Sequence, residues 1–439
     1  MKNSVERIRT EAEKNRDYLV RLIQDTVRIS SYSGEEEQIQ RFLQRKLAGL
    51  GMQTRLIKVE PEKLEKYKGF SYDGFSYERR CSLVGEKKGR GGSGGSNCAG
   101  GNGRSLMLNG HVDVVPPGDL SAWSDDPLSG RYLQGRVYGR GSLDMKGGLC
   151  AAITAVKILQ DLGFANCGDI ILSSVCGEET GGCGAFALVA DGIAADGCVI
   201  LEPTKMKICH IQSGCHTFKL KIKGRSIHAC MAYKGINPID KFYIIYEALK
   251  KMDRRRHERY SNGDFAYRYN VAPLNVGTIV AGEWPSSVPD HLEADGRMGI
   301  FPAETVEEMH WEFEETVRAA AAADPWLTEN PPVVQWYEGL FEPASTDAES
   351  DLVTTLAASH FEMFHRRVQF EAVTYGSDMR IFNLYAGIPT VHYGPGDVSL
   401  AHTVNEHLEI DQALDAVRSI ALMIVNWCGG SFVPKGAPA

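Results

Sequence analysis

Apolar residues recur at helical spacing over the first fifty residues, and this pattern predicts two helices. The first covers VERIRTEAEKNRDYLVRLIQDTVRI. The second covers SGEEEQIQRFLQRKLAGLG, with Ser33 as its N-cap and Gly51 at its end. The segment TRLIKVE that follows reads as a strand.

Beyond residue 104 the pattern changes to apolar strands that alternate with helices. SLMLNGHVDVV, DIILSSVCGEE and GCVILEPT are nearly continuous apolar runs, and the Ala-rich helix MKGGLCAAITAVKILQDLG lies between the first two. Strands that are apolar on both faces indicate a parallel or mixed sheet covered by helices on both sides. The same α/β character returns near the carboxyl end, where the closing helix is LEIDQALDAVRSIALMIVNWCGG.

Residues 214–341 follow a different pattern. HTFKLKIKG, APLNVGTIVAG and HLEADGRMGI alternate between apolar and polar residues, so these strands should each have one exposed face. Two amphipathic helices lie among them, and the block closes with the strand VVQWYEG. The order strand–helix–strand–strand–helix–strand is a split βαβ sandwich. We therefore predict an α/β domain of residues 1–213 and 342–439, into which an α+β domain of residues 214–341 is inserted.

Composition narrows the class of protein. The chain has 439 residues and a formal net charge of −8, which argues against a nucleic-acid partner because phosphate binding needs clustered positive charge. No run approaches the roughly 20 apolar residues of a membrane helix, and the first twenty residues lack the apolar core of a signal peptide. The eleven cysteines are scattered without a C-x-x-C pair, which favours buried, reduced thiols in a cytoplasmic protein.

A Gly-rich segment, residues 85–103, is expected to be a flexible surface loop. It contains chance matches to G-x-G-x-x-G, starting at Gly89, and to G-x-S-x-G, centred on Ser93. A dinucleotide fingerprint must open a helix after a strand, and a nucleophile elbow must join a strand to a helix. The next predicted element is a strand, so neither motif has the context that it needs.

His, Asp and Glu concentrate in five short segments, mostly at the carboxyl ends of predicted strands, where open α/β sheets bind ligands. In NGHVDVVP, His111 and Asp113 are two residues apart on a strand, so their side chains point the same way. His111 fits a metal ligand, and Asp113 fits the partner that accepts its other ring N–H. By itself, this pair is equally compatible with a purely structural role.

The next three segments each admit two interpretations. Asp144 precedes the Ala-rich helix, so it is either an N-cap or a carboxylate that bridges two cations. Glu178 and Glu179, in CGEETGG, either form a solvated loop tip or divide the work, with one binding an ion and the other holding a water molecule. Glu202, in VILEPT, ends an apolar strand, where a carboxylate is costly to bury unless it is paired or bound to metal.

The fifth segment, GPGDVSLAHTVNEHLEI, offers His402, Glu406 and His407. Across the five segments, two imidazoles and three carboxylates make a mixed nitrogen and oxygen donor set that suits two divalent ions, with zinc favoured and cobalt or manganese possible. This candidate ligand set is His111, Asp144, Glu179, Glu202 and His402. Two ions that share one carboxylate would lie about 3.5–4 Å apart.

The segments HVDVVP, GRGSLDMKGG, GEETGG, LEPT and AHTVNE resemble the signature segments of the M20 metallopeptidases and deacylases. The closing stretch most resembles the branch of deacylases that are like acetylornithine deacetylase. The resemblance implies a metallo-exopeptidase-like catalytic domain, with a mixed sheet between helices, and an inserted lid and dimerisation domain.

The resemblance also implies a role for each residue of the ligand set. His111 and Glu202 would bind one ion, Glu179 and His402 would bind the other, and Asp144 would bridge both. Of the two neighbouring acids, Asp113 would orient His111 and Glu178 would be the general base.

For the inserted domain, the resemblance implies residues that act on the substrate. His228, in GRSIHACMAYKGINPI, would reach the active site of the partner subunit and polarise the scissile carbonyl. Without the resemblance, His228 would read as a surface histidine after a strand. Asn275, in LNVGTIVAG, would contact substrate from the lid. Arg297, in EADGRMGIFP, stands in a slightly different register from the lid arginine that binds a substrate carboxylate in many relatives.

Together with this resemblance, the sequence predicts a cytoplasmic, homodimeric, zinc-dependent amidohydrolase that removes an acetyl, formyl or succinyl group from a small amine or amino acid. Its partners would be the N-acylated substrate and a second copy of the chain, without nucleic acid or membrane. Three alternatives remain open: a dipeptidase or carboxypeptidase with the same site, a carbamoyl-amide hydrolase, and a non-catalytic, metal-free dimeric relative.

Overall fold

The computed structural model describes residues 2–90, 103–260 and 271–433. The helices are α1 (Lys2–Lys14), α2 (Arg16–Arg28), α3 (Glu37–Gly49), α4 (Lys146–Asp161), α5 (Cys183–Ala190), α6 (Pro238–Tyr260), α7 (Val306–Ala322), α8 (Pro325–Glu329), α9 (Asp351–Phe364), α10 (Met379–Tyr385) and α11 (Ile410–Cys428). The strands are β1 (Gln53–Lys58), β2 (Cys81–Lys87), β3 (Leu106–His111), β4 (Arg131–Leu133), β5 (Arg136–Tyr138), β6 (Phe164–Asn166), β7 (Ile170–Val175), β8 (Gly197–Ile200), β9 (Ile208–Gln212), β10 (Gly214–Lys223), β11 (Ile227–His228), β12 (Leu274–Ala281), β13 (Ser287–Val288), β14 (His291–Ile300), β15 (Val333–Phe341), β16 (Ala344–Ser345), β17 (Phe370–Val373), β18 (Thr390–His392), β19 (His407–Glu409) and β20 (Gly430–Phe432).

The chain divides into two compact units. The first unit consists of Met1–His210, Ser345–Glu371 and Ser377–Ala439, and the second of Ile211–Ala344 and Ala372–Gly376.

The large sheet of the first unit is mixed. It begins in the order β1-β2-β7-β3-β8-β18 and continues through β9. The pairs of β3 with β7, β3 with β8 and β8 with β18 are parallel, whereas β1 with β2 and β2 with β7 are antiparallel. Every residue of β3, β7, β8 and β18 is buried. Successive side chains of a strand point to opposite faces, so both faces of the sheet centre are covered, as the apolar runs predicted.

Two groups of helices contact this sheet. In one group, α4 packs against α1, α2 and α11, and both α4 and α11 contact β3. In the other, α5 contacts α10 and β2, while α10 contacts β18. A mixed sheet packed against helices confirms the predicted α/β class.

The second unit has a four-stranded antiparallel sheet in the order β12-β14-β10-β15. Its helices α6 and α7 pack against each other, and α6 contacts the three strands β10, β12 and β14. Leu292 and Ala294 of β14 are buried, and polar side chains alternate with them, as the pattern predicted. Thr305 and Glu308 form a capping box that begins α7.

The amino-terminal helices differ from the prediction. The first amphipathic segment is two helices, because the chain turns at Asn15 between α1 and α2. The predicted N-cap at Ser33 is wrong, since α3 begins at Glu37 and its capping residue is Glu36. Apolar periodicity is continuous across both features, so it could not reveal either boundary.

Nine cysteines of the described residues are free, and all of them except Cys230 are buried. Cys167 is disulfide-bonded, so the expectation of uniformly reduced thiols is wrong for this residue. The two chance motifs of the Gly-rich segment extend into residues 91–102, which lie outside the described residues. Within the described ranges, no helix combines the length and apolarity that a membrane crossing requires.

Candidate metal centre

Three parallel strands deliver the first candidate ligands to one edge of the sheet. His111 is the last residue of β3 and pairs with Val175, the last residue of β7, while Asn109 pairs with Ile200, the last residue of β8. The turn with Glu178 and Glu179 follows β7, and Glu202 follows β8. Because the carboxyl ends of parallel strands meet at the same edge, these side chains converge there.

Asp144 lies between two histidines. The Nε2 atom of His111 is 3.2 Å from Asp144 Oδ1 and 3.9 Å from Glu202 Oε1. The Nε2 atom of His402 is 3.3 Å from Asp144 Oδ2 and 3.0 Å from Glu179 Oε1. The five predicted ligands thus form two sets, His111–Asp144–Glu202 and Asp144–Glu179–His402, in each of which the donor atoms lie within 4.8 Å of one another.

The N-cap interpretation of Asp144 is wrong, and the alternative matches the geometry. The residue that caps α4 is Met145, which makes no side-chain capping bond. The two oxygens of Asp144 instead face different histidines, one in each set. A carboxylate with one oxygen turned to each set is suited to bridge two ions.

The donor chemistry fits two divalent ions. His111 Nδ1 lies 2.9 Å from the main-chain oxygen of Asp113, and a carbonyl oxygen can only accept, so Nδ1 carries the ring proton. The hydrogen bond between Nε2 and Asp144 requires a second ring proton, and, although burial opposes it, the neighbouring acids raise the pKa of His111 accordingly. Loss of that proton would leave the lone pair of Nε2 directed at Asp144 and Glu202, which is the tautomer of a metal ligand. One imidazole and two carboxylates in each set are ligands that zinc, cobalt and manganese accept.

The pKa values of the acids in the centre are shifted in opposite directions by burial, neighbouring charges and hydrogen bonds. Burial, followed by the charge of Glu202, raises the pKa of Glu178 well above its ordinary value, despite the opposing charge of His111. Burial, followed by the charge of Asp144, raises the pKa of Glu202 as well. Burial also opposes ionisation of Asp144, but hydrogen bonds with His111 and His402 outweigh it and lower the pKa of Asp144. The acids crowd negative charge into a buried space, and nearby cations would favour their ionised forms.

Asp113 contacts both His111 and the turn after β7, and it contacts His111 through a different atom from the one that the sequence predicted. Its carboxylate accepts hydrogen bonds from the main-chain N–H groups of Glu178, at 3.2 Å, and Glu179, at 3.0 Å. The expected bond from His111 to this carboxylate is made by the main-chain oxygen of Asp113 instead, and Oδ1 is 3.7 Å from His111 Nδ1. Asp113 therefore holds both the ring of His111 and the turn that carries Glu178.

A second group, which the sequence interpretation missed, holds this turn from another side. Arg80 is fully buried, pairs with Asp73, and lies 3.2 Å from the carboxylate of Glu36. Asp73 also accepts a hydrogen bond of 2.6 Å from the hydroxyl of Thr180, which follows Glu179. Asp73 and Arg80 lie in the irregular segment that precedes β2 and has no apolar periodicity, so no pattern pointed to them.

Asp378 is a further buried acid that the sequence interpretation did not select. Burial raises its pKa to about 7, and its charge interacts with those of His111 and Asp113. His407, which the sequence offered beside His402, is not part of either set: its Nδ1 lies 3.0 Å from the main-chain oxygen of Asn405, and its ring packs against Tyr138.

The three candidates of the inserted segment lie on the second unit. Asn275 of β12 and Arg297 of β14 are exposed and directly opposite each other across the two strands. His228 is exposed on the short ribbon of β11 and β13, and its Nδ1 accepts a hydrogen bond of 3.1 Å from the main-chain N–H of Cys230. The structure therefore groups Asn275 with Arg297, and it places His228 on a separate ribbon.

Fold and centre together define a hydrolase class that binds metal through histidines and carboxylates. Residues 107–426 match the profile of Peptidase family M20/M25/M40, and the chain belongs to this family. The resemblance seen in the five motifs is thereby confirmed.

Particular relatives lie within this family. The chain is 31% identical over 346 residues to an N-formyl-4-amino-5-aminomethyl-2-methylpyrimidine deformylase of Halalkalibacterium halodurans, covering 74% of this chain and 79% of the relative. It is 27% identical over 341 residues to a probable succinyl-diaminopimelate desuccinylase of Staphylococcus aureus, covering 72% and 81%. The fold matches that of the M20 family metallo-carboxypeptidase Sso-CP2 of Sulfolobus solfataricus with a TM-score of 0.70 and 16% identity, over 93% of this chain and 99% of that one.

Proposed function

We propose that this protein is a metal-dependent amidohydrolase that removes a formyl, acetyl or succinyl group from the nitrogen of a small amine or amino acid. The observation that carries the proposal is the pair of ligand sets joined by Asp144, with the buried Glu178 beside them. The choice of N-acyl amides is supported by two relatives whose names denote removal of a formyl and of a succinyl group.

In this proposal, His111 and Glu202 would hold one ion, Glu179 and His402 would hold the other, and Asp144 would be shared by both. Zinc is the proposed metal, since it accepts this mixture of nitrogen and oxygen donors, and cobalt or manganese would fit the same set. Divalent ions at this place supply Lewis acidity, which polarises a carbonyl oxygen and makes a water molecule more acidic.

Glu178 moves the proton. Its carboxylate takes a proton from the attacking water, and the remaining hydroxide forms the new bond to the acyl carbon. The bond between that carbon and nitrogen then breaks, and Glu178 returns the proton to the departing amine. Burial raises the pKa of Glu178, which strengthens it as a proton acceptor once it is ionised. Asp113 keeps the residue in place by accepting its main-chain N–H.

The roles of the second unit form the finer part of the proposal. His228 would polarise the scissile carbonyl from a partner subunit, and Asn275 and Arg297 would contact the substrate, within a homodimer joined through the inserted domain. Exposure of all three side chains leaves them accessible to a ligand. A cytoplasmic location is favoured by the nine free cysteines of the described residues, whereas the disulfide bond of Cys167 argues against it. Mixing inactive His228→Ala and Glu178→Gln chains tests the trans arrangement, because heterodimers should regain activity.

The central test compares metal content with turnover in Glu178→Gln. Wild-type protein should contain two ions per chain and hydrolyse N-formyl, N-acetyl or N-succinyl amines faster than dipeptides. Glu178→Gln should keep both ions and lose turnover by about 10²- to 10⁴-fold, the usual contribution of a general base. The matched control is Glu349→Gln, at an exposed glutamate of the first unit, which should behave as wild type.

Three outcomes would contradict the proposal. Turnover of Glu178→Gln within tenfold of wild type would remove its role as the base. Faster cleavage of dipeptides than of N-acyl amines would favour the peptidase alternative. Less than about one ion per chain, with no gain of activity on addition of zinc or cobalt, would favour a binding protein.

A further inference from the structure

A buried ion pair lies next to the metal centre and belongs to neither ligand set. Arg140 and Glu406 are 2% and 0% exposed, and Arg140 Nη1 lies 2.5 Å from Glu406 Oε2. Arg140 belongs to the motif GRGSLDMKGG and Glu406 to AHTVNE, so each comes from a segment that also supplies a ligand. Neither residue has a part in the proton transfer proposed above.

Glu406 holds the main chain at Asp144, the ligand that both sets share. Its Oε1 atom accepts hydrogen bonds from the N–H groups of Leu143, at 3.0 Å, and Asp144, at 3.2 Å. The other oxygen of the same carboxylate is the partner of Arg140. The position of the Asp144 main chain is therefore tied to that of the guanidinium group.

Arg140 holds the main chain at His402, a ligand of only one set. Its Nη2 atom donates to the carbonyl oxygens of His402, at 3.3 Å, and Pro116, at 3.4 Å, while Nη1 donates to that of Thr403, at 3.3 Å. His402 has a φ of 60°, a left-handed conformation that a non-glycine residue keeps only where its surroundings enforce it. The planar guanidinium group of arginine can hold this conformation in place, since it donates to carbonyl groups and to a carboxylate at the same time.

We infer that Arg140 and Glu406 are positioning residues that fix His402 relative to Asp144 and thereby set the affinity for the second ion, the one held by Asp144, Glu179 and His402. The inference rests on the proposed two-metal function. Among the described residues, the hydrogen bonds of Arg140 reach the chain of His402 but not that of His111 or Glu202. Its link to Asp144, which both ions share, runs only through Glu406, whereas it bonds the chain of His402 directly. Loss of the arginine should therefore weaken the second ion much more than the first.

The test is a calorimetric titration of the metal-free full chain with cobalt(II), which resolves two binding steps. His402→Ala identifies the step of the second ion, and His111→Ala identifies that of the first. Arg140→Gln should weaken the step that His402→Ala removes by about 10- to 100-fold, the usual effect of a residue that supports a ligand. It should change the step that His111→Ala removes by less than threefold.

Two further variants distinguish a local effect on metal binding from a general loss of folding. Arg140→Gln leaves a buried carboxylate without its cation, so the double variant Arg140→Gln/Glu406→Gln removes both charges together. In Arg140→Lys the positive charge remains but the planar fork is lost, so its second step should lie between wild type and Arg140→Gln. The control is Arg256→Gln, which breaks another buried ion pair, with Glu304 of the second unit, and should leave both cobalt steps unchanged.

The outcomes separate this inference from the function on which it rests. If wild type does not bind two ions, the proposed function fails. If wild type binds two ions and the Arg140 variants keep both affinities, or lose both equally, the positioning role is refuted. Selective weakening of the His402 step, with partial rescue by lysine, supports it.

Discussion

Substitution of Gly177 by alanine tests how tightly the turn that carries Glu178 is packed. Gly177 is buried and has a φ of 67°, in the left-handed region that favours glycine. A Cβ atom built on it would lie 2.1 Å from Nη2 of Arg80 and 2.6 Å from Sγ of Cys183. Arg80 cannot easily move aside, because it is fully buried and paired with Asp73.

Gly192 is a matched glycine that separates the cost of backbone strain from the cost of overpacking. Gly192 has a φ of 82°, but a Cβ atom there would meet nothing within 4 Å. Alanine should cost about 1–2 kcal/mol of backbone strain at either position. Only at Gly177 should overpacking add about 1–3 kcal/mol. The difference in unfolding free energy between Gly177→Ala and Gly192→Ala should therefore be about 1–3 kcal/mol.

Urea titrations of the two variants, prepared and measured in parallel, give this difference from their midpoints. Turnover gives a second readout, because a displaced Arg80 would shift the neighbouring Glu178. Gly177→Ala should lose activity on N-acyl amines, and Gly192→Ala should keep it. If the two variants unfold at the same urea concentration, Arg80 does not pack against the turn as described.

Three further predictions concern the centre and the second unit. Asp144→Ala should lose both ions and His402→Ala only one, by elemental analysis of metal content; equal losses would contradict the shared ligand. Asp113→Ala leaves two main-chain N–H groups without their acceptor and should lower kcat by about 10- to 100-fold. Asp113→Asn should lower kcat less, and an unchanged kcat in both variants would refute the role of Asp113 in holding the turn. Burial, and then the charge of His310, lower the pKa of His216 to about 4. The unfolded chain therefore binds more protons than the folded chain once the pH falls below about 6.5. The free energy of unfolding should decline from there towards pH 4 by roughly 1 kcal/mol per pH unit after allowance for solvent screening. If the melting temperature of His216→Phe varies with pH as that of wild type does, the prediction is wrong.

The ligand sets could be predicted from the sequence because sheet geometry converts sequence order into proximity. His111 ends one strand and Glu202 follows its parallel neighbour, so their convergence requires only that those strands be recognised as buried. The role of Asp144 could not be decided in the same way. A residue ahead of a helix is compatible with a cap, and only the structure excludes that interpretation, because Met145 occupies the capping position and Asp144 faces both histidines.

The supporting residues could not be predicted, because they bind main-chain atoms that carry no sequence signal. The sequence predicts a bond between the carboxylate of Asp113 and His111. In the structure the main-chain oxygen of Asp113 makes that bond, and the carboxylate contacts the turn that carries Glu178 and Glu179. Glu406 was noted beside His402 as one more acid, and its contact with the N–H of Asp144 depends on how two distant segments fold together. Side-chain contacts with the backbone follow from tertiary structure, whereas strand and helix periodicity follow from local sequence.

The distribution of buried charge gives an independent reason to expect cations at this centre. The carboxylates of the centre are Asp144, Glu178, Glu179 and Glu202, and their full ionisation places four negative charges in a buried space. Buried arginines are directed elsewhere: Arg80 pairs with Asp73 and Glu36, and Arg140 pairs with Glu406. Across the described ranges, the ion pairs of Asp144, Glu179 and Glu202 are made with histidines alone. Removing an uncompensated charge from water costs several kcal/mol, which is why burial raises the pKa of Glu178 and Glu202, and full ionisation of the inner acids therefore requires nearby cations. Two divalent ions carry four positive charges, which equals the charge of the four carboxylates.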